Sequence, residues 1–197
     1  MAGSGREIPD ILARIVAHER TVVAAARERM PVTRLRQEAG YAAERRGFAR
    51  ALRENKPAII AECKRRSPSK GVLRDPFDPV AIGRSYEGAG AAAISVLTNE
   101  EFFGGTLDDL RAVRAAVGIP VLRKDFVIDP YQLEEARAAG ADAVLLIAAV
   151  HPPDVLLALH RSARDLGLDV LVEIHDCLLY TSPSPRDVEE SRMPSSA

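Results

Sequence analysis

Residues Gly118–Ala148, GIPVLRKDFVIDPYQLEEARAAGADAVLLIA, decide the fold of this chain. Two short apolar runs, at 119–125 and 142–148, flank a helical stretch at 131–139. Asp129-Pro130 is a typical helix start, because aspartate caps the first N–H groups and proline fits the first turn. Near-continuous apolar strands joined by a helix are typical of a parallel sheet that is covered on both faces. The segment therefore predicts a strand–helix–strand unit.

The same unit recurs on both sides of this segment. Gly90, Gly118, Gly140 and Gly167 each follow a helical stretch, as glycine does at helix C-termini. The order of elements predicts five βα units, in either an open doubly wound sheet or a (β/α)8 barrel. A G-x-G-x-x-G pattern does not follow the first strand, which disfavours the dinucleotide-binding form of the open sheet. The further strands are predicted at residues 57–64, 91–98 and 169–175, and the further helices at 80–87, 106–117 and 153–166.

Residues 1–56 precede the first strand and are predicted to form a helical extension. Apolar residues recur at helical spacing over 7–30. A second helical stretch covers 32–55 and is interrupted near Gly40 and Gly47.

The composition narrows the class of protein. The chain has 197 residues with 27 Lys+Arg against 28 Asp+Glu, so it lacks the basic excess of a nucleic-acid-binding protein. Its 47% hydrophobic content suffices for a packed core. Two cysteines, the lack of an apolar leader after Met1 and the short apolar run at 143–150 predict a cytoplasmic protein without a membrane segment. The four histidines have no metal-ligand spacing, so no metal is predicted.

Charged residues end three of the predicted strands. Glu62 and Lys64 end the first strand, Lys124 the third and Glu173 the fifth. Because side chains alternate along a strand and parallel strands carry their chemistry at the C-terminal ends, these groups are expected to meet on one face at one rim. A single such charge is usually solvated or in a surface ion pair. Four charges of both signs at equivalent positions favour a proton-transfer site instead.

The loops after the strands add polar and aromatic groups. Residues Arg65–Gly71 are basic and hydroxyl-bearing, which suits a carboxylate or phosphate ligand, although a solvated loop has the same composition. Residues Glu100–Gly105 contain Phe102 and Phe103, and Phe126 follows Lys124. In a chain with five Phe, four Tyr and no Trp, these rings indicate a planar ligand, and core packing would explain one of them.

Taken together, these motifs resemble those of the indole-3-glycerol phosphate synthase family. The resemblance extends to the opening helix and its arginine-rich continuation. It implies a (β/α)8 TIM barrel with an N-terminal extension. It also implies a cofactor-independent lyase of tryptophan biosynthesis, which closes the indole ring of 1-(2-carboxyphenylamino)-1-deoxyribulose 5-phosphate with loss of carbon dioxide and water. The similar segments are Ile60–Gly71, Ser95–Gly105, Pro120–Gln132, Gly140–Ala148 and Leu171–Asp176.

The resemblance also implies roles for individual residues. Lys124 would be the general acid and Glu173 the general base. Lys64 would meet the substrate carboxylate and assist proton transfer, with Glu62 as its charged partner. The remaining substrate-binding positions are Ser67 and Pro68 near the carboxylate, and Phe103, Phe126 and Leu145 against the anthranilate ring.

The resemblance stops at Asp176. Residues 57–176 are predicted as a partial barrel with strands one to five, and the family's later strands and phosphate-binding loops have no counterpart. Residues 177–197 lack glycine and are predicted as an unrelated, disordered tail on a truncated barrel, the alternative being a genuine flexible C-terminus. The outer strands would then have open edges, so we expect an unstable or aggregating chain with impaired activity.

Two other functions remain open at this point. One is another phosphate-binding barrel enzyme, such as an isomerase of the same pathway, and the other is an inactive βα fragment. The set Glu62, Lys64, Lys124 and Glu173 and the loop at 67–69 favour the synthase, with a small phosphorylated molecule as its partner. Association with other tryptophan-pathway enzymes and the oligomeric state stay undecided.

Overall fold

Five parallel strands form the centre of the structure, a computed structural model that describes residues 10–174. The helices are α1 Asp10–Arg29, α2 Val32–Leu35, α3 Ala39–Ala42, α4 Phe48–Glu54, α5 Pro79–Gly88, α6 Glu100–Phe103, α7 Leu107–Ala116, α8 Pro130–Ala138 and α9 Pro153–Asp165. The strands are β1 Ile60–Cys63, β2 Arg66–Ser67, β3 Gly71–Val72, β4 Ala93–Leu97, β5 Val121–Lys124, β6 Ala143–Ile147 and β7 Asp169–Glu173. A single 3-10 turn, Ala148–Val150, follows β6.

The strand order settles the choice between the two candidate folds. The strands lie in chain order, β1-β4-β5-β6-β7, and every neighbouring pair is parallel. A doubly wound sheet reverses its order at a switch point, whereas a barrel does not. The helices α5, α7, α8 and α9 contribute to one core cluster on one face of this sheet. The described residues therefore have the winding of a (β/α) barrel, with β1 and β7 as the outer strands among residues 10–174.

The two faces of the sheet are packed differently. Cys63, Ile94 and Val144 pack against the helices. Their strand neighbours on the opposite face, among them Ala93 and Ala143, pack around Phe48 of α4. We call this second surface the inner face, and it is the face that α4 closes at the N-terminal ends of the strands.

The N-terminal helices run along the sheet from one end to the other. The backbone N–H of Arg46 donates to Asp142 Oδ1 at 2.8 Å, and that of Ala49 donates to Asp169 Oδ2 at 2.9 Å. Asp142 precedes β6 and Asp169 begins β7, so α4 is tied to the N-terminal ends of these strands. The helix α1 packs instead beside α8 and approaches the loop after β4 at the opposite end.

Local structure differs from the sequence prediction in three places. The loop after β1 contains a two-stranded hairpin, β2–β3, whose strands are too short to produce a hydropathy period. Residues 100–103, expected to be loop, form α6, which Asn99 caps. The second helical stretch of the extension consists of α2, α3 and α4 rather than one interrupted helix. Residues 175–197, which include the end of the fifth predicted strand and the predicted tail, lie outside the described residues.

Candidate active site

A carboxylate between two ammonium groups forms the centre of the candidate site. Glu62 Oε1 lies 2.6 Å from Lys64 Nζ, and Glu62 Oε2 lies 2.5 Å from Lys124 Nζ. Since β4 separates β1 from β5, the contact between Glu62 and Lys124 passes over β4, where Ser95 is in register with Glu62. A serine at this position leaves room for the bridge. The prediction that these three charges share one face is confirmed.

The two lysines determine the charge state of Glu62. Partial burial by itself raises the pKa of Glu62, but the hydrogen bonds from Lys124 and Lys64 outweigh burial and hold this pKa below its ordinary value. The carboxylate is therefore ionised at neutral pH and keeps both lysine side chains at the rim. An ammonium group has three donors, so the bond to Glu62 leaves Lys124 with donor capacity toward a ligand.

Glu173 lies at the same end of the sheet, on β7. It is in register with Ile147 and two residues beyond Leu171, which packs on the inner face. Because side chains alternate along a strand, Glu173 is on the inner face as well. Neighbouring strands are about 4.8 Å apart, so β5 and β7 lie about 10 Å from each other across β6. The site thus has one charged cluster around β1 and β5 and another carboxylate two strands away on β7.

Two aromatic rings lie at the same rim. Phe103 ends α6 and Phe126 follows β5, and their ring centroids are 6.1 Å apart with planes inclined at 30°. Phe102 packs edge-to-face against His18 of α1, with centroids 5.7 Å apart. Both partners of this contact are half-buried, and Phe102 belongs to none of the buried core clusters that residues 10–174 form. The expectation that core packing explains one of the two neighbouring rings therefore stays a prediction. Leu145 is buried on β6, on the same face as Ala143.

The basic loop after β1 is built into the hairpin. Ser67 is half-buried in β2 and accepts a hydrogen bond from the backbone N–H of Lys70 at 3.2 Å, while Pro68 is exposed at the tip. Arg66 Nη2 donates to the backbone carbonyl of Glu100 at 3.0 Å. This bond holds the hairpin against α6 and so places Ser67 next to the rim.

A buried polar network lies behind the rim, and the sequence reasoning missed it. Arg123 is on the helix-facing side of β5 with only 4% of its side chain exposed, and it pairs with Asp125 at 3.1 Å and with Glu135 at 3.4 Å. These carboxylates more than offset the burial and raise the pKa of Arg123. The signal in the sequence was a charged residue between Leu122 and Lys124, at a position where alternation calls for an apolar side chain.

The same network includes Glu19 from α1. Asn99 Nδ2 donates to one oxygen of Glu19 at 2.6 Å and Gln132 Nε2 donates to the other at 3.1 Å. Burial, reinforced by the negative charge of Asp125, raises the pKa of Glu19 to about 8. The network therefore connects the N-terminal extension to the loops that follow β4 and β5.

Metal ligands and thiols are the remaining groups among residues 10–174 that could take part in chemistry. In residues 10–174 there is no group of three or more His, Cys, Asp and Glu side chains arranged to hold a metal ion. Cys63 is buried on the helix-facing side, and burial raises the pKa of its thiol to about 12. It is therefore a small core residue, as predicted. The same stretch of chain contains no helix that is long and apolar enough to cross a membrane.

Comparisons with known proteins agree with this geometry. The family model for indole-3-glycerol phosphate synthase matches residues 12–178. Proteins named indole-3-glycerol phosphate synthase from Bordetella pertussis and from Burkholderia multivorans are each 53% identical over 171 residues. The alignments cover 85% of this chain and 65% of each relative. The chain thus spans slightly less than two thirds of the length of these curated relatives.

Proposed function

Because the chain belongs to the indole-3-glycerol phosphate synthase family, a family of (β/α)8 barrels, we propose that its inner-face site serves the family's reaction. The substrate would be 1-(2-carboxyphenylamino)-1-deoxyribulose 5-phosphate. Its ring carbon attacks the ketone carbonyl, carbon dioxide leaves, and water is then eliminated to give the indole. The observation that carries the proposal is the bridge of Glu62 to both Lys64 and Lys124 beside a pair of aromatic rings.

Lys124 is the proposed general acid. Ring closure places negative charge on the ketone oxygen, and an ammonium group at the rim stabilises that oxygen and protonates it. Glu62 holds the Lys124 ammonium by a bond of 2.5 Å, which fixes the position of the donor. This step leaves Lys124 as a neutral amine, which regains a proton from solvent at the partly exposed rim before it protonates the hydroxyl that departs as water. The role of Glu62 is therefore to position the acid rather than to transfer a proton.

Glu173 is the proposed general base. Dehydration and recovery of aromaticity require removal of a proton from the new ring, at a point away from the oxygen that Lys124 serves. The separation of about 10 Å between β5 and β7 lets the substrate lie between acid and base. Such an arrangement holds both reacting ends in place and lowers the entropic part of the barrier.

The remaining residues are proposed to bind the substrate. Lys64 would pair with the carboxylate that is lost, near Ser67 and Pro68. The anthranilate ring would pack on Phe103, Phe126 and Leu145, which we call the apolar wall. No cofactor takes part in this scheme, and in such barrels the phosphate is held by loops after the last two strands. The cytoplasmic location expected from the sequence stays a prediction.

The test is formation of indole-3-glycerol phosphate. Product formation is measured for two proteins. One is the chain itself, and the other is the chain up to Asp176 followed by the part of the Bordetella pertussis relative that the alignment does not cover. We call the second one the completed protein. We expect product from the completed protein and a rate lower by about 10²–10⁴ in Lys124→Ala, because a general acid contributes that much.

Lys56→Ala is the matched control, since Lys56 is an exposed lysine before β1. A completed protein that unfolds cooperatively on heating yet forms no product would refute the assignment. Equal rates in Lys124→Ala and the control would refute the role of Lys124 and favour a fragment with a non-catalytic role.

A further inference from the structure

We infer that Glu19 of α1 is a positioning residue that fixes the spacing of Phe103 and Phe126, because its carboxyl group ties together the two loops that carry these rings. Glu19 is 4% exposed, and its two oxygens accept hydrogen bonds from two different loops. The expected effect of Glu19 on substrate binding rests on the proposed function above. Its expected effect on the positions of the two rings does not.

The first connection runs through Asn99 to Phe103. Asn99 Nδ2 donates to Glu19 Oε1 at 2.6 Å, and Asn99 Oδ1 accepts from the backbone N–H of Phe102 at 2.9 Å. The backbone N–H of Phe103 donates to the carbonyl of Asn99 at 3.1 Å. Since both ends of the amide are used, Asn99 has a single orientation. The carboxyl group of Glu19 therefore fixes Asn99, the residue that caps α6, the helix that ends at Phe103.

The second connection runs through Gln132 to Phe126. Gln132 Nε2 donates to Glu19 Oε2 and to the backbone carbonyl of Phe126, in both cases at 3.1 Å. Its Oε1 accepts from the backbone N–H of Ile128 at 2.7 Å. On the other side, Asp125 Oδ1 accepts from the backbone N–H of Phe126 at 2.9 Å. The loop after β5 is thus held at both backbone groups of Phe126.

The chemistry of the contact requires a carboxyl group at this position. Both partners present NH2 groups, so the residue between them must accept on two atoms at once. A carboxyl group can do so even when one oxygen carries a proton, because a hydroxyl oxygen keeps acceptor capacity, whereas an amide NH2 group has none. An amide at residue 19 would direct its own NH2 group toward one of these donors and lose one connection. Alanine would lose both connections. Each buried amide would then lack its Glu19 acceptor, although Gln132 keeps its bond to the Phe126 carbonyl. The rings themselves do not touch Glu19 in this scheme, so its effect on them is indirect.

The test follows the rings directly by fluorine NMR. The full chain is labelled with 4-fluorophenylalanine at its five phenylalanines, and each signal is assigned by a Phe→Leu replacement. In Glu19→Ala we expect the Phe103 and Phe126 signals to shift and broaden, while the signal of Phe48 stays in place. Glu19→Gln should give a smaller change, because one connection survives. Glu28→Ala, an exposed position on the same helix, should change neither.

The Phe48 signal guards against misreading an unfolded variant. If Phe48 moves together with the other two in Glu19→Ala, Glu19→Gln decides, because it keeps the shape of the side chain. Unchanged Phe103 and Phe126 signals in a variant whose Phe48 signal is native would overturn the inference.

A second measurement separates this inference from the proposed function. Anthranilate is the probe for the apolar wall, and its dissociation constant should rise about tenfold to a hundredfold in Glu19→Ala, as expected for misplaced binding groups. In the completed protein the Michaelis constant should rise with little change in turnover, because a ring wall binds ground state and transition state alike. The Phe103 and Phe126 signals could shift in Glu19→Ala while the native sequence neither binds anthranilate nor forms product. That result would support the role of Glu19 and refute the proposed function.

Discussion

The two ends of the parallel sheet use the same kinds of residue for different purposes. At the N-terminal end, the carboxylates of Asp142 and Asp169 accept backbone N–H groups of the extension, and Asp142 has no exposed side-chain surface. At the C-terminal end, Glu62 is bound to two ammonium groups, and the side chain of Lys124 is 35% exposed. In barrels of this kind the N-terminal ends of the strands stabilise the fold, and the C-terminal ends hold the active site.

Solvent access is the physical difference between these ends. Phe48 of α4 closes the inner face at the N-terminal end, so a charge there must be fully satisfied by fixed donors. The rim at the C-terminal end is partly wet, so its charges keep some of their solvation and remain able to bind a ligand or move a proton. We therefore expect substitutions at the N-terminal end mainly to lower stability, and substitutions at the C-terminal end mainly to lower activity.

The largest loss of stability should come from the aromatic residue that closes the N-terminal end. Phe48 is 2% exposed and packs against Ala93, Leu122 and Ala143. Phe48→Ala should lower the free energy of unfolding by about 3–5 kcal/mol, because it leaves a cavity that its neighbours cannot fill. Urea denaturation followed by circular dichroism measures the change.

The matched substitution at the other end is Phe103→Ala. Phe103 is half-buried at the rim, so its removal should cost less than about 1 kcal/mol. Equal losses in the two variants would mean that the rim aromatics belong to the core, and the division between the two ends would then be wrong.

A smaller loss should follow from removing a carboxylate at the N-terminal end. Asp142 accepts from the backbone N–H groups of Arg46 and Val121, each at 2.8 Å, and lies 3.2 Å from Arg114 Nε. Asp142→Ala leaves these donors unsatisfied and should cost about 2–3 kcal/mol in the free energy of unfolding.

Glu62→Gln is the counterpart at the rim. It weakens ion pairs that are partly exposed, which contribute about 1 kcal/mol or less, so stability should change little. Product formation by the completed protein should fall, because Lys124 loses the group that fixes it. A stability loss as large as that of Asp142→Ala would show that Glu62 is needed for folding.

The sequence predicted those parts of the molecule that depend on local periodicity. Alternation along each strand placed Glu62, Lys64 and Lys124 on one face, and the register and contacts confirm it. Apolar runs and helix caps located the βα units. The bridge itself joins residues 62 positions apart, and the sequence indicated only that its members share a rim.

The buried network was beyond the reach of such patterns. Glu19 is 80 positions from Asn99 and 113 from Gln132, and each of these residues alone reads as an ordinary polar residue of a helix or loop. Nothing local distinguishes a buried glutamate on an amphipathic helix from an exposed one. The hairpin β2–β3 was not predicted for another reason. Strands of two residues are too short to show a period in hydropathy.

The pH dependence of stability is a further difference within the C-terminal end of the sheet, where two glutamates behave in opposite ways. Burial raises the pKa of Glu19 to about 8, against an ordinary value of 4.5, whereas the lysines hold the pKa of Glu62 below its ordinary value. The charged groups facing Glu19 are the carboxylates of Asp125 and Glu135, which raise its pKa further, and the guanidinium of Arg123, which lowers it.

The sign of the effect follows from proton linkage. Between about pH 4.5 and pH 8 the folded chain keeps a proton on Glu19 that the unfolded chain has lost, so Glu19 lowers the free energy of unfolding as pH rises through this window. Glu62 acts in the opposite sense, since its contribution is present above its ordinary pKa and is lost as pH falls through the lowered value.

The free energy of unfolding should therefore fall more steeply with rising pH in the native sequence than in Glu19→Gln, which does not titrate. Glu28→Gln should retain the native slope, because Glu28 is exposed. Parallel curves for the native sequence and Glu19→Gln would mean that Arg123 keeps Glu19 ionised throughout, and that burial does not set its charge.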